Sequence, residues 1–393
     1  MPPKPKRLPP PALQHLKHSR QLLEDFLYQY LPQLSSLGSI SRINVFTWFS
    51  GKWGLTPDAS GGLPYMLLEA LRQQRQHLLT QKAALKPLSL SLFSSPEDTL
   101  PAKALPLLQE QNSQSHTAKI SHYSLSWKEV VKELQTLLQR QPASERNLLI
   151  LDPLDLQLPG LKELLLLLPK RLDILLVLPA ASILQAGGIT QKKEPAKEML
   201  LLSGLLSPLL PAPPEEGAEE KDEKTLPSLF QELKQGLATG SNRFVMHSTP
   251  AAPEQHICLY GLSHDALMME RMLLARQKLR KILLDNLQAG NQLGLFGSPA
   301  SGERTASAAN NDAVTLLLGR EQEWDNQALY LALLKEEILP QEAVQVLQQL
   351  MDAGRLEVLD EKKKKLKSPG PIPLSHTAYK LPAPSRYFRL KQP

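Results

Sequence analysis

Two apolar runs in this 393-residue chain end in residues suited to holding a small molecule. Ile43–Phe49 leads into a loop containing Gly51, Gly54, Gly61 and Gly62, and Asn147–Leu151 leads into Asp152-Pro153. Glycines let backbone approach a ligand closely, and open α/β sheets bind ligands beyond the carboxyl ends of their strands. Gly51 and Gly54 are therefore candidate cofactor-binding positions and Asp152 is the candidate catalytic residue; the alternative for Asp152 is that it caps its loop. His264, after Gly261-Leu262-Ser263, could line the same edge or serve as a capping and packing residue. No metal-spaced His or carboxylate accompanies it, so a metal site is not expected. The chain carries no P-loop, H-E-x-x-H motif, nucleophile elbow or Cys-His pair, which leaves no competing catalytic pattern.

Two further stretches suggest binding rather than catalysis. Lys362, Lys363, Lys364, Lys365 and Lys367 form a basic turn that could contact nucleic-acid phosphates with steep salt dependence, or simply be solvated. Gln292-Leu293-Gly294-Leu295-Phe296 is similar to the pentapeptide by which many bacterial proteins dock on the replication sliding clamp. Gln292, Leu293, Leu295 and Phe296 are the candidate partner-binding residues, with the Leu and Phe side chains buried in an apolar pocket, although the chain's own surface could bury them instead.

Positioning these residues requires alternating strands and helices. Periodicity predicts an amphipathic helix over 12–31 stopped near Pro32, a strand over 43–49 and a helix from Pro64 to about Leu79. Strands follow at 87–93, 119–125, 147–151 and 172–178, with helices including 102–109, 127–140 and 161–168 between them. Ser126 and Glu129 have capping-box spacing at the start of the fourth helix. A helix at 226–237, a hairpin from 243–247 and 256–260, and a long helix at 265–287 complete the first domain. Alternation of this kind implies an α/β fold, a parallel sheet covered by helices on both faces.

The remaining chain reads as punctuation and a second module. Residues 1–11 form a basic, Pro-rich tail expected to be disordered, 209–225 a flexible insertion, and 288–312 a Gly/Ser/Asn-rich flexible linker. Residues 313–393 contain helices at 326–335 and 341–353, a strand at 355–359, the basic turn and a strand within 378–390, the order of a winged helix. The second of these helices would be the recognition helix, yet it carries glutamines and Glu342 and no Lys or Arg.

A net charge of +6 sits largely in Lys4–Arg7, Lys362–Lys367 and Arg386–Lys391, which is compatible with a nucleic-acid partner without requiring one. Cys258 is the only cysteine, so an intramolecular disulfide and a Cys-based metal cluster are excluded and a reducing, cytoplasmic setting is expected. No signal peptide or membrane span is expected.

Four stretches carry a resemblance to a known family. They are His18–Leu31; Phe46–Gly54 leading into Gly62-Leu63-Pro64 and Leu67-Leu68-Glu69-Ala70; Leu149–Leu165 with Asp152-Pro153; and Tyr260–Met272 with Ser263-His264. In order and spacing they resemble the three-Cys-motif partner proteins of bacterial mobile and defence-type gene neighbourhoods. The resemblance implies a Rossmann-like, methyltransferase-type domain over 12–287 and a protein partner carrying the three-Cys motif. In that family the first strand ends in a D-x-F-A-G-P-G-like turn similar to the S-adenosylmethionine loop of methyltransferases. Here the run is Thr47-Trp48-Phe49-Ser50-Gly51-Lys52-Trp53-Gly54: Thr47 replaces the acid, Lys52 the proline, and Trp53 stands where a small residue is needed. The acid that would bind ribose hydroxyls from the second strand should fall near 93–95, where Phe93, Ser94 and Ser95 stand. Two lost carboxylates remove charge-assisted hydrogen bonds of roughly 1.5–3 kcal/mol each. The expectation is a non-catalytic accessory protein in a nucleic-acid-related or defence-associated system, with no cofactor. The alternatives are an active S-adenosylmethionine-dependent methyltransferase acting on nucleic acid, in which an Asp152-Pro153 turn positions the amine nucleophile, and a winged-helix DNA-binding regulator.

Overall fold

A computed structural model describes residues 10–48, 63–82, 85–96, 100–151, 172–179, 183, 226–238, 244–248, 257–291, 311–366, 370–375 and 385–391. The chain divides into two compact units between Asp265 and Ala266.

The first unit is α/β. Its strands are β1 (Arg42–Trp48), β2 (Leu88–Ser94), β3 (Lys119–Ser124), β4 (Glu145–Leu151), β5 (Leu172–Pro179), β6 (Phe244–Ser248) and β7 (Ile257–Ser263). They form one sheet in the order β3-β2-β1-β4-β5-β7-β6. All neighbours from β3 to β5 are parallel, while β7 runs antiparallel to both β5 and β6. The central strands are near-continuous apolar runs because both faces are covered: Leu148–Leu151 and Ile174–Leu178 are almost fully buried, as are Val45 and Leu90. Cys258, opposite Leu178 in the β5–β7 ladder, belongs to the same core.

Helix α1 (Pro10–Ser36) precedes β1, and α2 (Leu63–Thr80), α3 (Leu100–Ser115), α4 (Trp127–Arg140) and α5 (Leu226–Ala238) lie between successive strands. Helix α1 buries Leu22, Leu23, Phe26, Leu27, Tyr30, Leu31 and Leu34 and packs on α2 and β7. The stop expected near Pro32 does not occur: α1 continues to Ser36 with Pro32 inside it. Burial of Leu34 and Ser35, whose hydroxyl accepts a hydrogen bond from the Gln74 side-chain amide, offsets the hydrogen bond that proline cannot make.

The second unit opens with α6 (Ala266–Asn291), which extends into the stretch read as linker. A helix over 311–318 (α7) precedes β8 (Trp324–Asp325), α8 (Asn326–Lys335), α9 (Pro340–Asp352), β9 (Leu356–Leu359) and β10 (Tyr387–Leu390). The three strands pair antiparallel in the order β8-β10-β9. Asp325 caps α8 by accepting the Ala328 N–H at 2.7 Å. Three polar contacts bind α6 to α8, to α9 and to the turn between them. The Tyr330 hydroxyl donates to Glu270 at 2.5 Å, Arg276 pairs with Glu337 at 2.5 Å, and Gln277 donates to Glu342 at 2.7 Å.

The expected tail (1–11) overlaps α1 at Pro10, and the insertion at 209–225 and the helix at 161–168 lie outside the described residues.

Candidate functional site

Parallel pairing brings the carboxyl ends of β1 to β4 to one edge of the first sheet. Trp48 stands beside Phe93, Phe93 beside Tyr123 and Ser94 beside Ser124, with Leu151 closing β4. This is the edge at which a doubly wound sheet receives a ligand.

Its side chains are aromatic and packed on one another. Trp48, only 6% exposed, meets Trp127 edge-on, with ring centroids 6.0 Å apart and planes at 64°. Phe93 stacks between Phe46 at 6.3 Å and Tyr123 at 5.7 Å, and only Tyr123 of this group is substantially exposed. Trp127 reaches this place because it is the first residue of α4. The Glu129 carboxylate fixes that helix start by accepting both the Ser126 N–H at 2.8 Å and the Ser126 hydroxyl at 2.7 Å. Those bonds favour the ionised form and lower the Glu129 carboxyl below its usual range. The Trp127 indole N–H is buried and has no acceptor among the described residues.

The two positions where a nucleotide-like donor would need carboxylates hold neutral groups engaged within the chain. Thr47 is fully buried and its hydroxyl donates to the Trp48 carbonyl at 3.2 Å. Ser94 is buried with its hydroxyl 2.9 Å from His122 Nε2. The described ends of β1 and β2 thus carry no carboxylate, and the buried Trp48 indole and Phe93 phenyl rings there are packed on neighbouring rings.

Among the residues singled out from the sequence, Asp152, Gly51, Gly54, Lys367, Gln292, Leu293, Leu295 and Phe296 lie outside the described residues. His264 is corrected. Because β7 is antiparallel, its end at Ser263 falls beside the start of β5, with Leu262 opposite Ile174, whereas Leu151 is level with Leu176. His264 thus follows the amino edge of the parallel strands, opposite the edge it was expected to line.

The lysine turn splits into two classes. The Asp360 carboxylate accepts the N–H groups of Lys362 at 2.9 Å and Lys364 at 2.8 Å, which tightens the turn, with Lys363 in a left-handed conformation at φ 60°. Lys363 pairs with Glu323 and lies over the Tyr387 ring, 3.2 Å from its centroid; Glu323 also takes Arg389 at 3.0 Å. Lys365 pairs with Glu357 at 3.0 Å, and Lys391 approaches the same carboxylate at 3.7 Å. Lys362 and Lys364 are exposed at the tip.

The sequence reading missed one site altogether. Asp173 is 4% exposed at the start of β5. It accepts hydrogen bonds from the hydroxyls of Tyr30 on α1 and Ser263 on β7. A single acid inside a strand that is otherwise apolar on both faces was the available signal. Elsewhere, a groove of about 260 Å³ between α2 and α3 is lined by Leu68, Glu69, Arg72, Gln111, Gln114 and Ser115, with Arg72 and Glu69 paired at 2.7 Å.

Among the described residues no three His, Cys, Asp or Glu side chains gather as a metal site, and no helix is long and apolar enough to cross a membrane. No family model matches the chain, and no curated protein matches it.

Proposed function

We propose that this chain is a non-catalytic accessory protein built on a methyltransferase-type Rossmann sheet, acting beside a protein partner in a bacterial nucleic-acid-related or defence-associated system. The strand order supports the first part. It is the doubly wound order with a reversed strand, β7, set between β5 and β6, and its crossovers leave the ligand edge at β1, β2 and β4. The observation that carries the proposal is the packing of Trp48, Trp127 and Phe93 over that edge, with Thr47 and Ser94 in the carboxylate positions. The three-Cys-motif partner identity rests on the sequence resemblance.

The test is a titration of the full chain with S-adenosylmethionine, followed by calorimetry and by tryptophan emission. The expected result is no heat and no emission change up to millimolar ligand. Saturable heat with quenching of Trp48 or Trp127 would overturn the reading, and loss of methyl transfer in Asp152→Ala would then identify an active enzyme.

The second unit supports a winged-helix reading, with α8 and α9 as the helix pair and β9-turn-β10 as the wing. The exposed tip residues Lys362 and Lys364 favour a second role, contact with nucleic-acid phosphates. If such binding occurs, Lys362→Ala/Lys364→Ala flattens the slope of log affinity against log salt by about 1.8, as two lost phosphate contacts require. An unchanged slope rules the tip out.

A further inference from the structure

We infer that Tyr30, Asp173 and Ser263 form a proton-operated latch, which holds α1 against the amino edge of the sheet more tightly in acid than at neutral pH.

The geometry is that of a buried carboxylate held by neutral donors. One Asp173 oxygen accepts the Tyr30 hydroxyl from α1 and the other accepts the Ser263 hydroxyl from the end of β7. Ser263 Oγ in turn accepts the Asp265 N–H at 2.8 Å. Among the described residues no cation is bonded to Asp173; the charged groups facing it are Arg146 of β4 and Asp265, which pair with each other at 3.5 Å. Two hydroxyls orient the carboxylate but do not neutralise it, so the closed arrangement keeps a net negative charge out of water.

Protonation removes that charge without breaking the network. The new carboxyl proton needs an acceptor, and a hydroxyl oxygen has two lone pairs: Ser263 Oγ can take it beside the Asp265 N–H, while Tyr30 goes on donating to the other carboxyl oxygen. When α1 opens locally, Asp173 meets water, where its charged form is well solvated. The closed form consequently gains on the open form as protons are added. Burial pushes the Asp173 carboxyl up to about 6 against the downward pull of the two hydroxyls, while the ordinary value is 3.8. The added stability is thus complete below about pH 4 and is lost as pH rises through about 6. Burial and the neighbouring Asp173 charge likewise raise the Tyr30 phenol well above its usual range, so it stays protonated throughout.

Magnitude limits what the latch can do. Seven buried side chains hold α1 down, together far more than one proton can offset. The latch does not eject the helix; it sets how often the segment around Tyr30 opens.

Hydrogen exchange of the full chain between pH 4 and 8, corrected for intrinsic exchange chemistry, tests this. Opening of residues 22–34 is expected to become on the order of a hundredfold rarer from pH 7.5 to 4, to lose that dependence in Asp173→Asn, and to shift its midpoint to higher pH in Tyr30→Phe, which removes a donor to the charged form. A pH-independent α1 in the wild type overturns the latch, as does an unchanged slope in Asp173→Asn or an unmoved midpoint in Tyr30→Phe. If Asp173→Asn does not fold, the wild-type profile and the Tyr30→Phe midpoint decide.

Discussion

Single residues decide what the carboxyl edge of the sheet can hold. Trp48 closes β1, and its ring is buried against Trp127. Trp48→Ala should leave a large void, costing about 3–5 kcal/mol of stability in urea unfolding. It should not create S-adenosylmethionine binding, because Thr47 and Ser94 still supply no carboxylate. Thr47 and Ser94 could be read from the sequence as neutral residues, since a side chain's type is visible as a letter. Trp127 could not: its residue type marks only the start of a helix, and its contact with Trp48 joins residues 79 positions apart, beyond any local pattern. Asp173 was obscured for the opposite reason. Its partners lie 143 residues earlier and 90 residues later, beyond any local pattern.

At the scale of elements, local physics was largely sufficient. Helix α4 begins at Trp127 and ends at Arg140, as the capping-box spacing and apolar period predict, and α8 spans Asn326–Lys335 as expected. Buried parallel strands declare themselves as unbroken apolar runs, which is why β4 and β5 were legible. Pro32 misled because the hydrogen bond it forgoes is a local cost, while burial of Leu34 is a tertiary gain. The lysine turn misled in a similar way. Five lysines look like one feature, but the register of β10 with β9 and β8 brings Glu357 and Glu323 to Lys365 and Lys363. Lys363→Ala should therefore destabilise the second unit by up to about 1 kcal/mol, through its ion pair and its contact with Tyr387, while Lys362→Ala stays within about 0.5 kcal/mol. Thermal unfolding of the two variants side by side checks the asymmetry; equal shifts would refute it.

For the molecule as a whole, composition located a boundary in the Gly- and Ser-rich stretch at 288–312, whereas the compact units part at Asp265 and Ala266. The reason is α6, whose Glu270, Arg276 and Gln277 bind Tyr330, Glu337 and Glu342 of the second unit. Side-chain partners of this kind carry no compositional signature. A fragment starting at Ala266 should melt cooperatively, while one starting at Ala313 should melt several degrees lower or without a sharp transition, having lost those three contacts and the buried α6 residues Met272 and Leu279. Equal melting of the two fragments would show that α6 adds nothing.

The core position of Cys258 gives the protein a built-in stopwatch. The sole thiol is buried on β7 opposite Leu178 of β5, and burial raises it well above the usual range, so an alkylating reagent finds neither access nor thiolate. Labelling can proceed only while the hairpin is parted from β5. Under excess reagent its rate should track the opening frequency of that part of the sheet, and added denaturant should accelerate it exponentially. Prompt modification of the native protein would mean that this end of the sheet is open far more often than its packing implies.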